Sequence, residues 1–149
     1  MEGYILAATQ HERTNSRKCA LQVLYQSAIL QKSPEELIEG ESLIDETRAL
    51  DEYALSLLNG CADHVKDVDP YIIEASENWK IDRMPVIDRE LLRMATYEMI
   101  YVEDVPISVS INEAVNLAKE YGGEDDSPRF VNGILGRIAS VLEEERKNG

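Results

Sequence analysis

The sequence predicts an all-α protein of about seven helices. Apolar residues recur at steps of three and four along nearly the whole chain, the spacing that gives an α-helix one buried face. A capping residue followed by proline is typical of the first turn of a helix, and this pair occurs at Ser33-Pro34, Asp69-Pro70 and Ser127-Pro128. We find no credible strand pattern, and the short connections favour neighbouring helices packed antiparallel in bundles.

Three helices are predicted in the N-terminal half. The first covers about residues 14–31, where the apolar side chains form one stripe and polar residues at 14–16 offer an N-terminal cap. The second begins at Ser33-Pro34, carries acids in its first turn and ends near Gly40. The third covers about residues 46–66, whose apolar residues form one continuous face.

Four further helices are predicted in the C-terminal half. They cover, in order, about residues 69–79, 85–101, 108–121 and 127–142. Proline or a serine cap marks each start, and Gly122-Gly123 stops the third of them. Trp79 is placed on the apolar face of the first, and Ser127-Pro128 is expected to cap the last.

The run Lys66–Pro70 interrupts the helical pattern and predicts a division within a single domain of residues 1–149. The two helical subdomains, each of three-helix-bundle type, are expected to cover approximately residues 13–67 and 69–142. The ends at 1–12 and 143–149 are expected to be frayed.

Composition indicates a soluble globular protein. The chain has 149 residues, of which 44% are hydrophobic and 30% charged. Its N-terminus lacks the basic and apolar regions of a signal peptide, and no apolar run is long enough to span a membrane. Cys19 and Cys61 lack metal-ligand spacing, so we expect two buried reduced thiols in a cytoplasmic protein, with neither metal nor cofactor.

The net charge of −14 argues against non-specific binding of nucleic acid. The charge is unevenly spread, however, because residues 1–32 carry four bases and two acids while residues 33–82 carry three bases and fourteen acids. A polyanion would therefore have to use local basic sites on an acidic protein.

Enzyme motifs are missing from the sequence. It contains no nucleophile elbow, phosphate-binding loop or metalloprotease motif, and its two histidines stand apart. The paired carboxylates lie in predicted first turns or a loop, where helix-dipole and solvation roles explain them. We therefore expect a protein that is not an enzyme.

Two small basic clusters say more about function than the missing enzyme motifs do. Arg13, Arg17 and Lys18 lie in the first turns of the first predicted helix, and Arg129 stands beside Phe130 at the start of the last. Arginine can bind phosphate through two donors, and aromatic rings can stack on unpaired bases. Ordinary surface ion pairs are the alternative interpretation of these charges.

Two glycines lie inside the last predicted helix, Gly133 and Gly136. Each costs about 1 kcal/mol relative to alanine, so a compensating role is expected. We interpret them as allowing a neighbouring helix to approach closely, rather than as a nucleic-acid-clamping loop, which would need a turn between strands. Replacing Gly133 with leucine is accordingly predicted to lower stability.

Several blocks of the sequence closely resemble the NusB family of bacterial transcription antitermination factors. They are Cys19–Tyr25, Asp88–Glu98, Val105–Lys119 and Phe130–Leu135. The segments Ile111-Asn-Glu-Ala-Val and Phe130-Val-Asn-Gly are the most specific, and the similarity extends from about residue 13 to 142.

The resemblance implies an RNA-binding factor that pairs with NusE, a small-subunit ribosomal protein. Together such proteins bind the single-stranded boxA element of nascent rRNA and help RNA polymerase pass termination signals. By position, the resemblance assigns RNA binding to Arg13, Arg17, Lys18, Tyr71, Asp126, Arg129 and Phe130. It assigns the NusE-binding surface to Tyr25, Asp88 and Arg89, and leaves open whether the same surface forms a homodimer.

Two departures from the family pattern suggest weak RNA binding by the isolated chain. The segment Arg13–Lys18 is thinner in arginine than is usual, and the loop Gly122–Pro128 is longer and more acidic than in some relatives. We therefore expect RNA binding to depend on NusE. The alternative is an acidic protein–protein scaffold with little RNA contact of its own. The resemblance also includes proteins in which this fold precedes an rRNA cytosine methyltransferase domain. We expect no such catalytic activity here, because 149 residues leave no room for that domain.

Overall fold

The computed structural model describes residues 2–40, 50–77 and 79–149, with side chains described from Glu12 onward. The described residues form six α-helices and one 3-10 turn, Ile81–Arg83, without a strand. The helices are α1 Glu2–Leu30, α2 Pro34–Glu39, α3 Glu52–Ser76, α4 Val86–Tyr101, α5 Ile107–Tyr121 and α6 Ser127–Asn148. The predicted all-α class is confirmed.

The helix count is six rather than seven because two predicted helices form the single element α3. Its backbone is kinked at His64, where φ is −118° and ψ is 15°, and Pro70 lies inside the helix. Pro70 has no N–H to bond the carbonyl one turn earlier, and its ring crowds that turn, so a bend in this part of the helix is expected. The prediction that Asp69-Pro70 begins a separate helix was wrong.

Both chain ends are helical where fraying was predicted. The backbone of α1 begins at Glu2, and α6 continues to Asn148. The residues after Leu142 in α6 are mainly good helix formers, and Arg146 and Lys147 stand in its last turn, where the helix dipole favours cations. The Arg146 guanidinium also donates a 3.0 Å hydrogen bond to the Met99 carbonyl, which ties this end to α4.

The chain divides into two compact units, residues 1–60 and 61–149. The boundary lies within α3, four residues before the kink and not in the predicted interruption at 66–70. Part of the third predicted helix, residues 46–49, lies outside the described residues.

In the first unit α1 and α2 pack together, with fully buried Leu21, Val23 and Leu37. The predicted start of α2 is confirmed as a capping box. The Ser33 hydroxyl accepts the Glu36 N–H at 3.1 Å, while the Glu36 carboxylate accepts the Ser33 N–H at 3.3 Å.

In the second unit α4, α5 and α6 pack against one another. Leu91 and Leu135 are fully buried, as the apolar periodicity predicted, and so is Leu92. A polar contact crosses this core, where the Ser110 hydroxyl donates to the buried Glu98 carboxylate at 2.6 Å. These three helices form the frame on which the candidate site is built.

Candidate nucleic-acid and partner interface

The start of α6 is held in place by a buried carboxylate. Asp88, 2% exposed, accepts the Ser127 hydroxyl at 2.8 Å and the Gly123 N–H at 3.1 Å. The Ser127 oxygen in turn accepts the Glu124 N–H at 3.0 Å. Ser127 therefore links α4 to the loop before α6, and the prediction that it caps α6 was wrong: Asp126 occupies the N-cap position without a side-chain capping bond.

At both glycines of this loop neighbouring atoms lie too close for a side chain, whereas the two glycines inside α6 have no such neighbours among the described residues. A Cβ at Gly122 would lie 2.4 Å from the Ala118 carbonyl oxygen, and one at Gly123 would lie 2.5 Å from Pro85. A Cβ at Gly133 or Gly136 would meet nothing within 4 Å. The predicted helix contact at Gly133 and Gly136 was therefore wrong, because both positions lie on the exposed face of α6.

A groove with a volume of about 380 Å³ lies along the first three turns of α6. Its lining includes Glu77, Trp79, Arg129, Phe130, Gly133 and Arg137. The ring of Phe130 is half-buried and meets the Trp79 indole edge to face, with centroids 6.1 Å apart. Arg129 is exposed, so the structure brings two of the predicted RNA residues together in one groove.

Trp79 and Arg137 also line this groove, although the sequence did not predict them as site residues. Trp79 was placed on a buried helix face, but α3 ends at Ser76 and the indole is 57% exposed. Exposed tryptophan is uncommon, and a lone tryptophan just before Lys80–Arg83, where three of four residues are charged, was the available signal. Arg137 gave no comparable signal, because its place in the groove follows from the turn of α6.

Tyr71, also predicted to bind RNA, lies elsewhere in this unit. Its hydroxyl donates to the Glu145 carboxylate at 2.8 Å, and this bond, with some burial, raises the pKa of Tyr71. Glu145 lies fifteen residues beyond Phe130 in α6, which corresponds to about 22 Å along the helix axis. Tyr71 thus faces an acidic group outside the groove.

The N-terminal basic cluster is partly buried within the first unit. The Arg13 guanidinium lies 4.4 Å from the centre of the Tyr53 ring, and that of Arg17 lies 5.8 Å from it. Arg17 is only 4% exposed, whereas Arg13 and Lys18 are half-buried. RNA binding by these three residues stays a prediction, and the burial of Arg17 leaves Arg13 and Lys18 as the more accessible bases of the cluster.

The residues assigned to the partner surface differ in exposure. Tyr25 is 41% exposed on α1, and Ile29, one turn later, is 53% exposed. Arg89 is half-buried, with its Nε 3.9 Å from a Glu90 oxygen. Asp88 is buried and internally bonded, which favours a structural role, and its assignment to the NusE surface stays a prediction.

Other site types find little support in the part of the chain that the structure describes. No group of three or more His, Cys, Asp or Glu side chains there could hold a metal ion. Within the same residues, no helix has the length and apolar character needed to cross a membrane. Cys19 and Cys61 are buried free thiols, as predicted.

The fold and the groove define an all-helical protein whose candidate site is a surface for binding. The chain belongs to the NusB family, whose model matches residues 14–140. It is 43% identical over 129 residues to "Transcription antitermination protein NusB" of Salinispora arenicola (strain CNS-205), a match that covers 85% of this chain and 94% of that protein.

Solved structures of NusB proteins share the fold. T. maritima NusB matches with a TM-score of 0.73 and 35% identity, over 86% of this chain and 90% of that one. A crystal structure of the antitermination factors NusB and NusE in complex with dsRNA matches with a TM-score of 0.69 and 26% identity, over 87% and 96%. The family resemblance seen in the sequence is confirmed.

Proposed function

We propose that this chain is a cytoplasmic, RNA-binding transcription antitermination factor that works without catalysis. It pairs with NusE, binds the boxA element of nascent rRNA and joins the antitermination complex of RNA polymerase. Membership of the NusB family supports this function, as does the matching structure of NusB with NusE and dsRNA.

The observation that carries the RNA-binding part is the groove at the start of α6. It places an exposed arginine, Arg129, next to the aromatic ring of Phe130, with Asp126 one turn earlier. Arginine binds phosphate and aromatic rings stack on unpaired bases, so the pair suits single-stranded RNA. Asp126 is exposed and can accept hydrogen bonds from base or ribose donors.

The buried Asp88 carboxylate holds the backbone at the start of this surface in place. Its two hydrogen bonds fix the loop and the first residue of α6, so the groove is preformed before RNA arrives. Preformed sites lose less entropy on binding. We assign Asp88 a positioning role and give NusE binding to Tyr25 and Arg89, with the exposed Ile29 as part of the same surface on α1.

Arg13 and Lys18 form a second, weaker basic site in the first unit. Arg17 is too buried to neutralise a phosphate directly, and we assign it to packing against Tyr53. With few available bases on a chain of charge −14, we expect tight RNA binding to need NusE.

The test is a fluorescence-anisotropy titration of labelled single-stranded boxA RNA, with and without NusE, at several salt concentrations. Arg129→Gln should weaken binding and reduce the slope of log affinity against log salt by about 0.7, because one phosphate contact on a single strand is lost. Lys119→Gln is the matched control, since Lys119 is exposed on α5 and also loses one charge. Retained NusE binding by Arg129→Gln shows that its surface is intact.

An acidic scaffold without RNA contact predicts a different result. Affinity and salt slope would then be unchanged by Arg129→Gln, with NusE binding retained. Equal binding of RNA with and without NusE would contradict the expected dependence on NusE.

A further inference from the structure

Trp79 is an exposed aromatic residue whose backbone is hydrogen-bonded to Ser76 at the end of α3. Its N–H donates to the Ser76 carbonyl at 3.1 Å, and its own carbonyl accepts the Ser76 hydroxyl at 3.0 Å. Glu77 between them has a left-handed backbone, with φ of 46°, which ends α3 and turns the chain. The side chain of Trp79 is 57% exposed, and its two backbone hydrogen bonds to Ser76 lower the entropic cost of presenting the indole to a ligand.

The geometry of the two rings limits how a base can bind. The Trp79 and Phe130 planes meet at 75° with centroids 6.1 Å apart, so a flat base does not fit between them. Phe130 instead supports the indole from one side, and the exposed indole is the larger surface for stacking.

Gly133 keeps the groove open beside these rings. It lines the groove, and a Cβ there would meet no protein atom within 4 Å. Glycine in an exposed helix position costs about 1 kcal/mol relative to alanine, and no contact among the described residues explains it. Gly136 is equally open but does not line the groove, so it provides a matched control.

The groove carries more positive than negative charge, which favours an anionic ligand, and its one carboxylate can accept hydrogen bonds from donors on that ligand. Arg129 and Arg137 line it together with one acid, Glu77. Arg137 donates to the Ala75 carbonyl at 2.7 Å, which uses one of the five guanidinium N–H groups and fixes the group at the groove wall. Two arginines and one acid give the groove a net positive charge, although the chain as a whole carries −14.

We propose that this groove is a subsite for one unpaired RNA nucleotide, whose base stacks on Trp79 while its backbone passes over Gly133 between Arg129 and Arg137. The proposal rests on the proposed function and deepens it. It adds Trp79, Gly133 and Arg137 to the RNA surface, and it selects single-stranded over double-stranded RNA, because stacked bases of a duplex are not available to the indole.

Trp79 is the single tryptophan of the chain, so its emission reports on this groove directly. Titration with single-stranded boxA RNA in the presence of NusE should change tryptophan emission with the midpoint seen by anisotropy, and the Trp79→Phe complex corrects for any signal from NusE. Trp79→Ala should weaken binding by about fivefold to a hundredfold, the usual range for losing one stacked base, while Trp79→Phe keeps most of the affinity.

Gly133→Leu should weaken RNA binding about tenfold or more by occupying the path of the backbone. Gly136→Leu should leave it unchanged. Both variants should melt at or above the temperature of the parent chain, since leucine is the better helix former and a Cβ at either position meets nothing within 4 Å among the described residues.

The outcomes separate the two proposals. Weaker binding by Arg129→Gln with unchanged affinity in Trp79→Ala and Gly133→Leu overturns the subsite and leaves the proposed function standing. Equal affinity for a duplex, without a change in tryptophan emission, also overturns the subsite. Absence of any RNA binding by the complex with NusE overturns both.

Discussion

Removing the Asp88 carboxylate should destabilise the protein more than any ordinary surface substitution. Asp88 is 2% exposed and accepts two hydrogen bonds, one from the Ser127 hydroxyl and one from the Gly123 N–H. A hydrogen bond to a charged group contributes about 1.5–3 kcal/mol, so Asp88→Ala should lower the free energy of unfolding by about 3 kcal/mol or more. It also leaves the buried Ser127 hydroxyl and the partly buried Gly123 N–H without this acceptor.

The loss is large against a typical stability of about 5–15 kcal/mol and should be measured by urea unfolding followed by circular dichroism. At about 2–4 °C per kcal/mol for a chain of this size, the melting temperature should fall by roughly 6–12 °C. Asp88→Asn should cost less, about 1–2 kcal/mol, because its amide oxygen can still accept the Gly123 N–H. Asp82→Ala is the control: Asp82 is exposed, so a change within about 0.5 kcal/mol is expected.

A loss below about 1 kcal/mol in Asp88→Ala would refute the positioning role. So would an Asp88→Asn variant of unchanged stability that no longer binds NusE, since that result would make Asp88 a direct partner contact, as the family resemblance implied.

Two further predictions concern titratable groups of the second unit. Burial raises the pKa of the Glu90 carboxyl, so its contribution to stability is greatest at acid pH and decreases as pH rises from about 4.5 through the raised pKa. Urea unfolding across this range should show a flatter stability profile for Glu90→Gln, and parallel profiles would contradict the assignment. Burial also raises the pKa of the Cys61 thiol to about 12, with the neighbouring Glu90 carboxylate adding to the shift. Iodoacetamide at pH 8 should therefore leave Cys61 unmodified in the folded chain and label it in urea, as followed by mass spectrometry; rapid labelling of the native protein would show that the thiol is accessible.

The helices were predictable because their signals are local. Apolar spacing and the proline at its second position located α6, and the capping box located α2. The fusion of two predicted helices into α3 was not predictable in this way, because the Asp69-Pro70 pair looks the same at a helix start and inside a kinked helix. There the Asp69 carboxylate instead accepts two hydrogen bonds from Arg93, at 2.8 and 2.9 Å, a contact across 24 residues of sequence.

The candidate site was predictable in part. Arg129 and Phe130 stand side by side in the sequence at a helix start, and the structure places both in one groove. Trp79 and Arg137 reach the same groove from the end of α3 and from the second turn of α6 beyond Phe130, so no sequence pattern joined them. Arg17 looked like its neighbour Arg13 in the sequence, and both guanidinium groups lie beside Tyr53, yet Arg17 is buried while Arg13 is half-buried.

The sequence by itself determined the all-α class, most helix starts, the NusB family and the arginine–phenylalanine pair of α6, since each depends on neighbouring residues or on matched motifs. Only the tertiary structure decided which of the similar residues face solvent. Asp88 lies inside, where Ser127, 39 positions away, bonds it, and Gly133 lies on the exposed face of α6, where a Cβ would meet no atom of the described residues within 4 Å. Burial depends on contacts between distant parts of the chain, which a local pattern does not contain.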